Sequence, residues 1–367
     1  MGKVRVLVID DSALIRKILT ELLSSSPDIE VVGAAEDPLV AREMIKQLNP
    51  DVLTLDIEMP HMDGITFLRN LMRLRPTPVV MISTLTEHGA EATLEALSLG
   101  AVDFIAKPKV DVVNTLNDYA DEIIAKVKMA ARARVGSINQ REIRAKNPTP
   151  PSTSVLPDRQ SSKGIAPKEG AVNKIIVLGA STGGTEAIKV VAKHLPADSP
   201  PVLITQHLPA AFSESFVKHI DLVTAMSASI PVHGQVVENG HIYLAPGDRH
   251  MELAKENGRY VIHLTDAPPV NRHRPAVDVL FQSAKSCTGG NAVCVLLTGM
   301  GADGALGMKE MHEAGAKTVI QDEHSSVVWG MPGAAFKLGC VDYVEPLEEV
   351  ASRIVTLTKI LGTGRSG

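Results

Sequence analysis

Cysteine is scarce: Cys287, Cys294 and Cys340 are the only three in 367 residues, and no pair has C-x-x-C spacing. An odd, scattered set excludes a disulfide framework and a thiolate zinc site, and it suits a reducing cytosol. Long apolar runs are missing too. The stretch Val6–Ile9 stops at Asp10 and Asp11, too short for a secretory signal, and nothing approaches the roughly 18 apolar residues of a membrane span. A soluble, cytoplasmic chain is expected. There is no basic surplus: 37 Lys and Arg against 42 Asp and Glu leave a formal net charge of -5. With no helix-turn-helix signal either, nucleic acid is not expected as a partner. Aromatic residues are absent between Tyr119 and Phe212, and from about Ala133 to Asn173 Pro148, Pro150, Pro151, Pro157 and Pro167 break the pattern among Ser and Thr clusters. Such a stretch cannot bury enough surface to offset its chain entropy, which predicts a flexible linker over residues 126–172, overlapping the end of the preceding helix.

What remains is ample for two globular cores, with 44% hydrophobic and 22% charged residues. Residues 1–125 alternate β-rich runs (Val4–Ile9, Ile29–Gly33, Asp51–Ile57, Pro78–Ile82, Ala101–Ile105) with segments of helical period such as Leu14, Ile15, Ile18, Leu19, Leu22 and Leu23. Five βα repeats predict an open, flavodoxin-like parallel sheet with helices on both faces. Residues 173–367 predict a second doubly wound, mainly parallel α/β domain. It contains an antiparallel hairpin, because Met251–Ala254 and Arg259–Leu264 flank Asn257-Gly258.

In such sheets ligands collect beyond the carboxyl ends of the strands. Asp10 and Asp11 end the first strand and Asp56 the third, while Ser83 and Lys107 follow the fourth and fifth. Three carboxylates this close repel one another unless a hard cation such as Mg²⁺ neutralises them. Ser83 and Lys107 suit the oxygens of a phosphoryl group on Asp56. Five matched positions, each at a strand end, are poorly explained as solvated loop residues.

In the second domain, Gly179-Ala180-Ser181-Thr182-Gly183-Gly184 joins the strand Lys174–Leu178 to a helical segment. A dinucleotide-binding turn would need Gly at position 181 and an acid after the next strand, which instead ends in His207. The other reading is a nucleophile turn that exposes the Ser181 hydroxyl beside backbone N–H groups. Asp303, in the loop after Val293–Leu297, completes a Ser–His–Asp set on three strand ends. Each alone has a bland reading, as a glycine-rich turn, a packed imidazole or a turn-forming Asp-Gly. The order Ser–His–Asp differs from the Ser–Asp–His order of α/β-hydrolases.

Residues 3–125 resemble the response-regulator receiver family through Ile9-Asp10-Asp11-Ser12, Leu55-Asp56-Ile57-Glu58-Met59-Pro60-His61-Met62-Asp63-Gly64 and Ala106-Lys107-Pro108. The resemblance implies that Asp56 is the phospho-acceptor and that Asp10 and Asp11 hold Mg²⁺, with the Glu58 backbone carbonyl as a further ligand. It makes Ser83 and Lys107 readers of the phosphoryl group and Phe104 the family's switch aromatic, beside the plain reading of a core Phe. Residues 172–360 are similar to the chemotaxis protein-glutamate methylesterase family. The matching stretches are the Ser181 turn, Gln206-His207-Leu208-Pro209, Leu244-Ala245-Pro246-Gly247-Asp248-Arg249-His250, Leu297 to Gly304, and Trp329-Gly330-Met331-Pro332-Gly333. This resemblance implies hydrolysis of glutamate γ-methyl esters, and deamidation of some glutamines, on methyl-accepting chemotaxis receptors. A chemotaxis histidine kinase would be the phosphodonor, and membranes would be met only through receptors. It implies Ser181 as nucleophile, His207 as base and then acid, Asp303 as orienting group and the Met300 N–H as oxyanion support, with no cofactor for hydrolysis. Arg272-His273-Arg274 reads as a basic cluster for steering or as a solvated loop, and Trp329 as a core anchor or a site wall. A nucleotide-holding module and a receiver with a DNA-binding output are the competing functions; NAD(P) binding tests the first, and no basic domain supports the second.

Overall fold

A computed structural model describes residues 2–59, 62–84, 86–107, 116–133, 135 and 172–361. Most of the expected linker, and Pro60, His61 and Pro108 of the first motif, lie outside the described residues.

The first domain has strands β1 (Val4–Ile9), β2 (Ile29–Ala35), β3 (Val52–Asp56), β4 (Val79–Ser83) and β5 (Asp103–Ala106), with helices α1 (Ala13–Ser24), α2 (Pro38–Leu48), α3 (Gly64–Leu74), α4 (Glu87–Ser98) and α5 (Leu116–Ala130). Every strand pair is parallel and the order is β2-β1-β3-β4-β5. Strands β3 and β4 are buried along their whole length. Helices cover both faces of such a sheet, so its strands read as continuous apolar runs. Short acceptors start the helices: Ser12 Oγ accepts from the Ile15 N–H, Asp37 from Leu39 and Val40, and Asp63 from Thr66.

The second domain runs β6 (Ile175–Ala180), α6 (Gly184–His194), β7 (Val202–Gln206), α7 (Ala210–Val223), β8 (Ser227–Ser229), β9 (Gln235–Val236) and β10 (His241–Leu244). It continues with β11 (His250–Glu256), β12 (Arg259–Thr265), α8 (Val277–Thr288), β13 (Ala292–Leu296), α9 (Ala305–Glu313), β14 (Lys317–Gln321), α10 (Met331–Lys337), β15 (Tyr343–Glu345) and α11 (Leu347–Ile360). A seven-stranded, wholly parallel sheet has the order β15-β14-β13-β6-β7-β10-β8. The hairpin β11–β12 turns at Asn257-Gly258, both with positive φ, but it joins β9 in a separate antiparallel sheet and leaves the main one parallel. The chain enters the main sheet at β6, fills one side through β7 and β10, then returns to β13 on the other side. That reversal between β6 and β13 creates a crevice at the carboxyl ends of the strands.

The two domains share apolar contacts. One buried cluster includes Leu53, Met81 and Phe104 of the first and Ile188, Phe212 and Phe216 of the second. Phe104 stacks on Phe212 with ring centroids 4.6 Å apart, so it is a contact between domains as well as a core residue.

Candidate active site

Asp10, Asp11 and Asp56 converge beyond β1 and β3, with ligand oxygens all within 4.8 Å of one another. Lys107 Nζ lies 2.7 Å from Asp56 Oδ2 and 3.6 Å from Asp10 Oδ2. Burial pushes the Asp56 carboxyl up to about 6, against the Lys107 bond that lowers it; the neighbouring Asp10 raises it further. Asp10 is likewise raised, first by burial. Two buried oxygens, Asp10 Oδ2 and Asp56 Oδ1, accept no hydrogen bond from the described residues. Orphaned carboxylate oxygens in an acidic pocket are the donor set a hard divalent cation takes, so the residues present fit Mg²⁺. Ser83 points elsewhere: its hydroxyl is 3.3 Å from Gly89 O and accepts from Thr93 Oγ1 at 2.8 Å, which ties β4 to the first two turns of α4.

In the second domain, Ser181 follows β6, His207 follows β7 and Asp303 follows β13, all around the crevice. His207 Nδ1 is 3.1 Å from Ser181 Oγ, and His207 Nε2 is 2.8 Å from Asp303 Oδ2. A carboxylate only accepts, so Nε2 carries the proton and Nδ1 is left to accept from the serine. The ring is thus turned opposite to the chymotrypsin-type arrangement, in which Nε2 faces the nucleophile. Asp303 is buried, which raises its pKa, but bonds from His207, Asn271 and the Val277 N–H outweigh burial and bring it to about 2. It is ionised at any pH near neutrality.

The turn that carries Ser181 is held by its backbone. The Ser181 N–H donates to Thr298 O at 3.0 Å, and Gln206 Nε2 donates to Ser181 O at 2.9 Å. Gly183 caps α6 at φ +76, and a Cβ there would lie 2.7 Å from the Val327 side chain. Gly299 is as crowded, since its Cβ would sit 2.9 Å from Ser181 Cβ. The small residues of both motifs are therefore close-approach positions. Met300 follows Gly299 in the loop after β13 and is exposed.

Further residues meet this site beyond Ser181, His207 and Asp303. His273 stacks on His207, centroids 3.7 Å apart, so the cluster read as a steering patch or solvated loop delivers a ring to the His207 side chain. Burial, then the stacked His207 ring, push His273 down to about 4 and keep it neutral. Trp329 is half-buried; its Nε1 donates to Gln321 O and its backbone bridges Gly299, so it serves the core and braces the loop behind Ser181. From the first domain, Asp103 Oδ2 accepts from Thr182 Oγ1, the neighbour of Ser181, and Asp103 also pairs with Lys126 at 3.4 Å.

Residues 176–354 match the CheB methylesterase family model, and residues 6–117 match the response regulator receiver domain. The chain is 56% identical over 357 residues to protein-glutamate methylesterase/protein-glutamine glutaminase 1 of Xanthomonas campestris pv. campestris, covering 97% of each chain. It is 54% identical over 365 residues to the enzyme of that name from Nitrosomonas europaea, covering 100% of this chain and 99% of the relative. The crystal structure of the Thermotoga maritima CheB methylesterase catalytic domain superposes with TM-score 0.50 at 32% identity, covering 50% of this chain and 98% of that one. The parallel sheets, the strand-end serine, histidine and aspartate, and this likeness over nearly the whole length lead to one conclusion: the chain belongs to the protein-glutamate methylesterase/protein-glutamine glutaminase family, with a receiver domain ahead of a CheB-type catalytic domain.

Proposed function

We propose that this chain hydrolyses glutamate γ-methyl esters, and deamidates some glutamines, on methyl-accepting chemotaxis receptors, under control of phosphorylation at Asp56 by a chemotaxis histidine kinase. The observation that carries the chemistry is the unbroken relay Ser181 Oγ–His207 Nδ1–His207 Nε2–Asp303 Oδ2. In this reading Ser181 attacks the γ-carbonyl as His207 Nδ1 takes its proton, and the ionised Asp303 stabilises the imidazolium. The Met300 N–H supports the oxyanion. His207 then returns the proton to the leaving methanol, and water repeats the sequence to free the glutamate. The chain divides into a receiver (1–125), a linker (126–172) that starts within α5, and a catalytic unit (173–367). Among the described residues no helix is long and apolar enough to cross a membrane. In this reading the enzyme is cytoplasmic and meets membranes through receptors.

On the receiver, Asp10, Asp11, Asp56 and the Glu58 carbonyl would hold Mg²⁺, which when bound offsets the charge of the acceptor pocket. Lys107 already touches Asp56 and is placed to pair with a phosphoryl oxygen. With Asp56→Ala, phosphate incorporation from a small phosphodonor should vanish; incorporation equal to the unaltered chain would move the acceptor elsewhere. Methanol release from methylated receptor membranes, with and without phosphodonor, tests the whole reading. Ser181→Ala should lower kcat by about a millionfold while leaving the fold intact. Substantial turnover in that variant would take Ser181 out of the nucleophile's role.

A further inference from the structure

Between β12 and α8 the chain makes a tight reversal at Val270–His273. Val270 and His273 exchange both backbone hydrogen bonds, at 3.0 and 2.9 Å, and the two central residues have φ +52 at Asn271 and +68 at Arg272. Two successive positive φ values are the signature of a primed two-residue hairpin turn. Asn tolerates that conformation and a bulky arginine does not, so the turn persists only because its surroundings hold it. What it achieves is visible at its side chains. His273 lies flat on His207, and Asn271 reaches the acid at the far end of the relay.

Asn271 Nδ2 donates to Asp303 Oδ1 at 2.8 Å and to Asp278 Oδ2 at 2.7 Å. Both carboxylates are buried, whereas Asn271 itself is exposed, so its amide closes the solvent side of the pair. Asp303 Oδ2 accepts from His207 Nε2 and from the Val277 N–H at 2.7 Å, while Oδ1 accepts from Asn271 and from the Asp278 N–H at 3.2 Å. Asp278 in turn accepts from the Gly307 N–H at 2.7 Å, at the start of α9. A primary amide has two hydrogens, and each serves one carboxylate. Without it, two carboxylates face each other with no side-chain donor between them, and like charges so placed raise each other's proton affinity.

We propose that Asn271 is a positioning residue for hydrolysis: its amide fixes the carboxylate plane of Asp303, and through it the tautomer and angle of His207. The proposal rests on the Ser181–His207–Asp303 reading and adds a fourth member. The titratable and charged groups facing the His207–Asp303 pair are Asp278 and His273 from the catalytic unit, and Lys126 of the receiver acts on His273. Removing a donor from Asp303 raises the proton affinity of the coupled pair, so the acidic limb of the rate profile must move to higher pH.

The experiment uses the full chain with phosphodonor, following methanol release from methylated receptor membranes against pH. Asn271→Gly keeps the positive φ and deletes the amide, and Asn271→Asp keeps shape and φ preference but turns donor into acceptor. For Asn271→Gly we expect kcat to fall roughly tenfold, the loss of one charge-assisted bond partly replaced by water, with KM little changed. Asn271→Asp should fall further, and both variants should show the acidic limb displaced upward. A wild-type kcat with an unmoved limb in a folded Asn271→Gly enzyme overturns the proposal and assigns the residue to the turn alone. If that variant melts below the assay temperature, Asn271→Asp decides in the same way: full activity on an unmoved limb overturns the idea. Ser181→Ala, run in parallel, separates the two levels. Activity surviving there overturns the triad and this inference together, whereas its loss beside an unaffected Asn271→Gly overturns this inference alone.

Discussion

Asp303 shows how one side chain is made into a fixed charge. Two oxygens accept from two side chains and two backbone N–H groups in a buried site. These bonds lower its pKa from the usual carboxylate range to about 2. A carboxyl depressed on folding contributes stability that is complete above its unfolded value near 4 and is lost as pH falls through about 2, with a size of about 2 kcal/mol. Asp303→Asn should therefore denature with a shallower dependence on pH between about 4 and 2, read by circular dichroism. The same variant should lose about ten-thousandfold in kcat, because the amide can hold the wrong tautomer of His207. Normal turnover would leave Asp303 as a turn residue.

At the scale of elements, the receiver's fourth strand and helix are linked by a hydroxyl. Ser83 bonds to Gly89 and Thr93 of α4, and α4 packs against α7 of the catalytic unit. In the proposed reading a phosphoryl group on Asp56 draws the Ser83 hydroxyl toward it, releasing these bonds and shifting the helix that carries the contact. Ser83→Ala should then still incorporate phosphate but lose most of the stimulation of methanol release by phosphodonor. Full stimulation would show that the signal bypasses α4. Elements were largely legible in the sequence, since alternating β and helical periods with glycine-rich strand ends place Ser181, His207 and Asp303 without coordinates. Their finer partners were not. Asn271 and His273 sit on a turn outside any strand, and what they touch depends on how β12 returns over the crevice. Nothing local tells Phe104 apart from an ordinary core aromatic, because its partner Phe212 lies in the other domain. The missed signal at Asn271 is faint: an Asn with a taste for positive φ just before the basic cluster.

For the whole molecule, the question is what the contact between domains does. The receiver meets the Ser181 turn through Thr182–Asp103, meets α6 through the Ser98 hydroxyl on Glu186 at 2.7 Å, and meets α7 through the Phe104–Phe212 stack. A tethered domain holds a high effective concentration at such a surface. In the proposed reading, phosphorylation would shift the arrangement only by its differential stabilisation of docked and released states. Deleting residues 1–140 should raise basal methanol release and make it indifferent to phosphodonor. A folded truncated enzyme no faster than the unphosphorylated full chain would make the receiver an activator or targeting module instead. The apolar cluster shared by both domains carries one more consequence. If the packing that keeps the receiver seated also limits traffic to Ser181, thermal robustness and catalytic throughput trade against each other along that seam. Tightening substitutions there would yield a hardier but slower enzyme, and loosening ones a fragile enzyme that answers before it is asked.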